Sequence, residues 1–221
     1  PTKSQLLHIG HHRNPWPLPD LTFGAHDIPC GDELKLLGVT FDSKLTFRRH
    51  LRNVSLRAVA RLGFLRRASS FLGREGRLTT YRGFVRPVLE YAPLTWMGAA
   101  NSHLQSLDRV QRKALAIIGP DALLQSLAAR RQVYALTYMY KLMCLQDHPD
   151  LSALVPPRQE ASLVPRTRSQ LRVRHQHQLQ AVLLPTAPNF LQRSFPYGVV
   201  DEWNRLPQDM FPDPMPQLKS L

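Results

Sequence analysis

Phe47, Leu51, Val54, Ala58, Leu62 and Leu65 recur at steps of 4, 3, 4, 4 and 3. That spacing places them on one face of a helix starting near Thr46, with Asp42, Ser43 or Thr46 able to cap its start and Gly73 marking its stop. A second helix is predicted from about Glu75 to Val85, with Leu78, Tyr81 and Val85 inward, before Pro87 disturbs it. RPVLEYAPLTW (Arg86 to Trp96) reads as a further helical piece in the same core. Asn101 or Ser102 then caps a helix whose buried stripe is Leu104, Leu107, Val110, Ala114 and Ile117 or Ile118. Gly119-Pro120 ends it, because the residue before a proline avoids the α region. Asp121 is placed to cap ALLQSL, and Arg130 to Leu145 forms another helix with Val133, Leu136, Tyr140 and Met143 on one side.

Upstream of these helices the pattern is that of short strands. SQLLHI (Ser4 to Ile9) suits a strand, and Pro15, Pro17, Pro19 and Pro29 exclude a helix interior or a central strand between Gly10 and Gly31. That stretch is a loop or hairpin with Leu21 to Phe23 as a weak edge strand. LKLLGVTFD (Leu34 to Asp42) brings β-formers after Gly38, so a strand with a turn or a close backbone approach at the glycine is expected. From His148 the chain turns rich in Pro, Ser, Gln and Arg and reads as irregular. RSFPYGVVDEWNRLP (Arg193 to Pro207) restores aromatics in a short helical frame that docks on the earlier core. The fold class is mainly α, with short N-terminal strands, a helical bundle and an irregular Pro-rich C-terminal region. Its divisions fall at 1–43, 44–147, 148–192 and 193–221.

Charge adds the next constraint. The 221 residues carry a net charge of +13, and the stretch from Lys35 to Arg86 holds thirteen Lys/Arg against two acids, Asp42 and Glu75. Seven of these cations, Arg48, Arg49, Arg52, Arg57, Arg61, Arg66 and Arg67, stand on the first helix with no acid among them. A solvated face stabilised by i,i+4 ion pairs would need acids there. A polyanion, most commonly nucleic acid, is the partner such a surface fits.

Chemistry is sparse by comparison. The acids never form an Asp-Asp pair, and the adjacent pairs Asp32-Glu33 and Asp201-Glu202 fit solvated or helix-end charges better than a metal site. There is no GxSxG elbow and no GxxxxGK[ST] loop. Cys30 and Cys144 belong to no CxxC pair, and His11-His12 and His175-x-His177 lack the frame of a metal site. No apolar run reaches the roughly eighteen residues of a membrane span, and the N-terminus lacks the long apolar stretch of a signal peptide. An intracellular setting, nuclear or cytoplasmic, without membrane association, is the expectation.

Three landmarks, LGVTFD (Leu37 to Asp42), RPVLEYAPLTW and LDRVQRKALAII (Leu107 to Ile118), together with RSFPYGVVDEWNRLP, resemble the reverse transcriptases of non-LTR, LINE-like retrotransposons of the jockey and CR1 type downstream of their palm motif. The resemblance implies a palm remnant at the N-terminus, with Lys3 placed where a lysine assists pyrophosphate departure. It implies a primer-grip hairpin containing Leu37 and Gly38, and a helical thumb beginning with the arginine-rich helix. Arg48, Arg49, Arg52, Arg57, Arg61, Arg66 and Arg67 would then contact an RNA/DNA hybrid or single-stranded nucleic acid. The family's Tyr/Phe-x-Asp-Asp motif does not occur in the chain. No catalytic residue beyond Lys3 is therefore expected, no cofactor is implied for this chain, and Mg2+ is expected only for the complete polymerase. The competing reading is a helical protein-interaction module whose cationic face meets an acidic partner.

Overall fold

The computed structural model describes residues 4–10, 21–119, 122–145, 148–157, 177–180 and 189–211. Among the described residues six short strands, β1 (Leu6–Leu7), β2 (Thr22–Phe23), β3 (His26–Asp27), β4 (Cys30–Gly31), β5 (Glu33–Leu36) and β6 (Val39–Asp42), pair two by two. β1 runs parallel to β4, while β2–β3 and β5–β6 are antiparallel. The chain then becomes helical, so the class is mainly α with short N-terminal strands, as the periodicity predicts.

β5 and β6 join through Leu37 and Gly38, both at positive φ. A two-residue turn of this kind has the twist that suits a hairpin, but Leu37 adopts it without the freedom of glycine. LKLLGVTFD thus turns at the glycine as expected, forming a hairpin with a second strand, β5, ahead of the turn.

α1 (Arg48–Ala68) comes next, and every member of the predicted stripe is buried, five on the helix and Phe47 at its N-cap. Its N-cap is Phe47, in a left-handed conformation and without a side-chain cap, rather than Asp42, Ser43 or Thr46; the Asp42 carboxylate instead holds the preceding turn, accepting hydrogen bonds from the backbone N–H groups of Thr46 (2.9 Å) and Phe47 (2.7 Å) and from the Thr46 hydroxyl (3.1 Å). The exit comes earlier than Gly73. α1 ends at Ser69, and Gly73 instead precedes α2 (Arg74–Thr80) as its N-cap in extended conformation.

α2 runs through a π turn, Tyr81–Val85, into α3 (Arg86–Leu89). In the π turn the Arg86 N–H reaches back to the Tyr81 carbonyl. This one-residue widening lets Pro87 fall in the first turn of α3, where its missing N–H does little harm. The predicted break at Pro87 is therefore absorbed. Tyr81, Val85 and Leu89 are buried, and α1 packs against this continuous rod and against α5 (Asn101–Ile118).

α5 buries Leu104, Leu107, Val110, Ala114 and Ile118, so the stripe ends on Ile118 rather than Ile117. Its N-cap is Ala100, whose carbonyl accepts the His103 and Leu104 N–H groups, and not Asn101 or Ser102. Gly119 closes it as predicted. Residues 122–126 are not helical, and their backbone is held by Gln111, which donates to the Gln125 carbonyl (2.9 Å) and accepts from Leu127 N–H (3.2 Å). Asp121, the expected cap, lies outside the described residues.

The chain divides into two compact units, one of residues 1–92 and 99–127, the other of residues 93–98 and 128–221. The RPVLEYAPLTW landmark is shared between them: α3 belongs to the first and α4 (Pro93–Trp96) to the second. In the second unit, α6 (Leu127–Tyr140) and the π turn Lys141–Leu145 bury Ala135, Met139 and Cys144 against Leu179, Val199, Val200, Trp203 and Phe211. Of the predicted face, Leu136, Tyr140 and Met143 pack against this core, whereas Val133 is 58% exposed. The buried side is lined by Arg131, Ala135 and Met139, and the Arg131 guanidinium lies 5.8 Å from the centre of the Trp96 ring.

Two further short helices, Asn189–Arg193 and Val200–Asn204, carry the C-terminal aromatics. Part of the tract read as irregular has a definite seat here. Asn204 brackets Leu179, accepting from its N–H (2.8 Å) and donating to its carbonyl (2.9 Å), while Trp203 Nε1 donates to the His177 carbonyl (2.9 Å). Residues 158–176 and 181–188 of that tract lie outside the described set.

Candidate nucleic-acid interface

The first unit places the hairpin and the arginine-rich helix side by side. A cleft of about 570 Å3 lies between them, lined among others by Glu33, Lys35, Gly38, Arg49, His50 and Arg57. One residue from the hairpin turn and two from the predicted arginine set therefore share one concavity. Phe41 of β6 meets Phe47 edge-on at 5.6 Å, and Val39 is buried, which fixes the hairpin to the start of α1.

His50 sits at this junction. It is 1% exposed, and its Nδ1 accepts a hydrogen bond from the Thr40 N–H at 3.2 Å. In the β5–β6 register Leu36 faces Val39 across the turn and Lys35 faces Thr40. Thr40 thus occupies a non-hydrogen-bonded position whose N–H points away from β5, and the histidine satisfies it. Burial, and next the nearby Arg57 guanidinium, lower its pKa from 6.5 to about 4. His50 escaped the sequence reading although it lies three residues after Phe47 and four before Val54, on the apolar stripe.

The predicted site residues separate by environment. Arg48, Arg52, Arg57, Arg66 and Arg67 are exposed. Arg49 is exposed too, with its Nη1 2.6 Å from a Glu33 carboxylate oxygen. Among the described residues it is the α1 arginine with an ion pair. Arg61 is half-buried; its Nη1 donates to the Phe84 carbonyl at 2.7 Å and its guanidinium lies 4.8 Å from the centre of the Phe84 ring. Lys3 lies outside the described residues.

At the hairpin turn Leu37 is 83% exposed. The turn is held from behind by Tyr91, which donates its hydroxyl proton to the Leu37 carbonyl at 2.7 Å and lays its ring against Gly38. An added Cβ at Gly38 would approach that ring at 3.3 Å, so both the positive φ and the contact demand glycine. Sequence reasoning assigned no role to Tyr91. Its position inside the RPVLEYAPLTW landmark was the available signal.

Metal chemistry has no seat among the described residues: no group of three or more His, Cys, Asp or Glu is arranged to hold an ion. Cys30 and Cys144 are free thiols. No described helix is long and apolar enough to cross a membrane.

Comparison with known proteins agrees with the landmarks. The chain is 29% identical over 175 residues, 72% of its length, to the RNA-directed DNA polymerase from mobile element jockey of Drosophila melanogaster. It is 32% identical over 100 residues, 44% of its length, to the corresponding jockey protein of Drosophila funebris. It is also 29% identical over 94 residues, 41% of its length, to the probable RNA-directed DNA polymerase from transposon X-element of Drosophila melanogaster. The chain is related to the RNA-directed DNA polymerases of non-LTR mobile elements. The matched stretches span 19%, 11% and 10% of those three relatives. No family model matches the chain, and no solved structure matches it.

Proposed function

We propose that the first unit grips nucleic acid, as the primer-grip and thumb portion of a retrotransposon reverse transcriptase, with the exposed arginines of α1 on the phosphate backbone and the Leu37–Gly38 turn against the end of a strand. The observation that carries this reading is the placement of an acid-free arginine face beside an exposed hairpin turn around one cleft. The substrate is an RNA/DNA hybrid or a single strand. The role assigned to these residues is to bind and orient the strand.

Binding through phosphates releases counterions, so affinity should fall linearly with salt on logarithmic axes. Fluorescence anisotropy of a labelled primer–template hybrid, titrated with the chain over a salt series, tests this. Replacing Arg48, Arg52 and Arg57 by Gln should weaken binding uniformly across sequences and lower the salt slope by about 2 to 3, at roughly 0.7 to 0.9 per contact. Absence of binding at low salt, or an unchanged slope in the triple variant, refutes the reading. Preference for an acidic polypeptide over the hybrid would instead favour a protein-interaction role.

A further inference from the structure

Phosphate contacts leave one feature of α1 unexplained. Phe64 is 51% exposed and Phe84, on the neighbouring π turn, is 40% exposed. The two rings meet edge-to-face with centroids 5.6 Å apart and an interplanar angle of 65°. A pair of large rings left half in water loses the burial that normally justifies them. This pair is nevertheless rigidly built, because Arg61 anchors Phe84 from one side through both its carbonyl and its ring. Along α1, Arg57 and Arg67 bracket Phe64 on the same strip at spacings of seven and three residues, about 15 Å apart along the axis. Ala60, one turn before Phe64, is exposed and puts only a methyl group beside the ring.

We infer that Phe64, braced by Phe84 and Arg61, is a stacking platform for an unpaired base of a single strand whose phosphates lie on Arg57 and Arg67. The inference rests on the nucleic-acid reading above and adds base contact to it. An aromatic face stacks any base, so the platform gives affinity without sequence preference, while the flanking guanidinium groups hold the backbone. The occupant is a nucleic acid rather than an apolar protein segment because the strip is cationic and α1 carries no acid to meet a mixed-charge partner.

The test uses the full chain with two labelled single strands of equal length, one of thymidines, which stack weakly on each other, and one abasic, which keeps every phosphate and lacks every base. The unsubstituted chain should bind the thymidine strand at least about fivefold more tightly than the abasic one. Phe64→Ala should abolish that preference while leaving the abasic affinity and the salt slope unchanged, and Phe64→Trp should preserve it. Circular dichroism of both variants reports that the helices remain. Equal binding of the two strands by the unsubstituted chain, or an equal loss on both strands in Phe64→Ala, overturns the platform while leaving phosphate binding intact. Binding of neither strand at low salt overturns both readings. Tighter binding of polyglutamate than of the thymidine strand assigns the patch to a protein partner and likewise overturns the inference.

Discussion

Acidification should loosen the hairpin from α1 through a single residue. His50 is neutral in the folded chain down to about pH 4 but titrates at 6.5 when exposed. Between those values the unfolded chain binds the extra proton, so stability rises with pH across this window and is lost as pH falls through it. A shift from 6.5 to about 4 corresponds to at most about 3.5 kcal/mol, at roughly 1.4 kcal/mol per unit. Solvent in the adjoining cleft screens the charge, so about 2 kcal/mol is the working figure. The physical event is specific. A proton on Nδ1 turns the acceptor of the Thr40 N–H into a donor facing a donor, beside the Arg57 guanidinium.

His50→Gln isolates the effect, because glutamine retains an acceptor for the Thr40 N–H and does not titrate. Urea unfolding followed by far-ultraviolet circular dichroism, across the interval between pH 6.5 and about 4, should show the unsubstituted chain losing about 2 kcal/mol more than the variant. Protonation of carboxylates is common to both proteins and cancels in the difference. Parallel loss of stability in the two proteins would refute the assignment of the buried histidine as the linkage between hairpin and helix.

Leu37 holds a left-handed conformation at an exposed turn, which costs a branched apolar residue about 1 kcal/mol, so Leu37→Asn should raise stability by about that much in urea unfolding. If the turn contacts the end of a strand as proposed, the same variant should bind a primer–template hybrid less tightly. Asn204→Ala removes both hydrogen bonds to Leu179 and should cost about 1 to 3 kcal/mol, read as faster amide exchange at Leu179 and Gln180. Arg61→Gln should lower thermal stability, because it removes the contact with Phe84, whereas Arg52→Gln should lower affinity for the hybrid and leave the melting temperature unchanged.

How far the fold was legible depended on whether apolarity alone chose the buried side. On α1 it did, since apolar residues recur at helical spacing and all six predicted positions are buried. On α6 it did so only in part. Leu136, Tyr140 and Met143 of the expected face pack against the core and Val133 does not, while the most deeply buried line carries Arg131 and Ala135, one charged and one small. An arginine enters that face because Trp96 receives its guanidinium, and Trp96 lies more than thirty residues away in sequence. Gln111 and His50 were hidden for the same reason. Each is a polar residue on an apolar stripe whose partner is backbone from elsewhere: residues 125 and 127 for Gln111, Thr40 for His50.

The arginine set shows the same limit from the opposite side. Composition and spacing identify seven equivalent cations, and nothing in the residue type separates them. Their neighbours do. Arg61, at the margin of the buried stripe, meets the carbonyl and ring of Phe84, so much of its hydrogen-bonding and stacking capacity is used within the unit. Arg49 meets Glu33, an acid from β5 that the local helix sequence does not contain, and the exposed pair leaves its charge partly compensated but its position fixed at the cleft. Arg48, Arg52, Arg57, Arg66 and Arg67 are exposed. Under the proposed phosphate contact these five are the cations open to a ligand, while Arg49 and Arg61 are engaged within the unit. Charge along the sequence marks the helix, and tertiary contacts separate the cations on it.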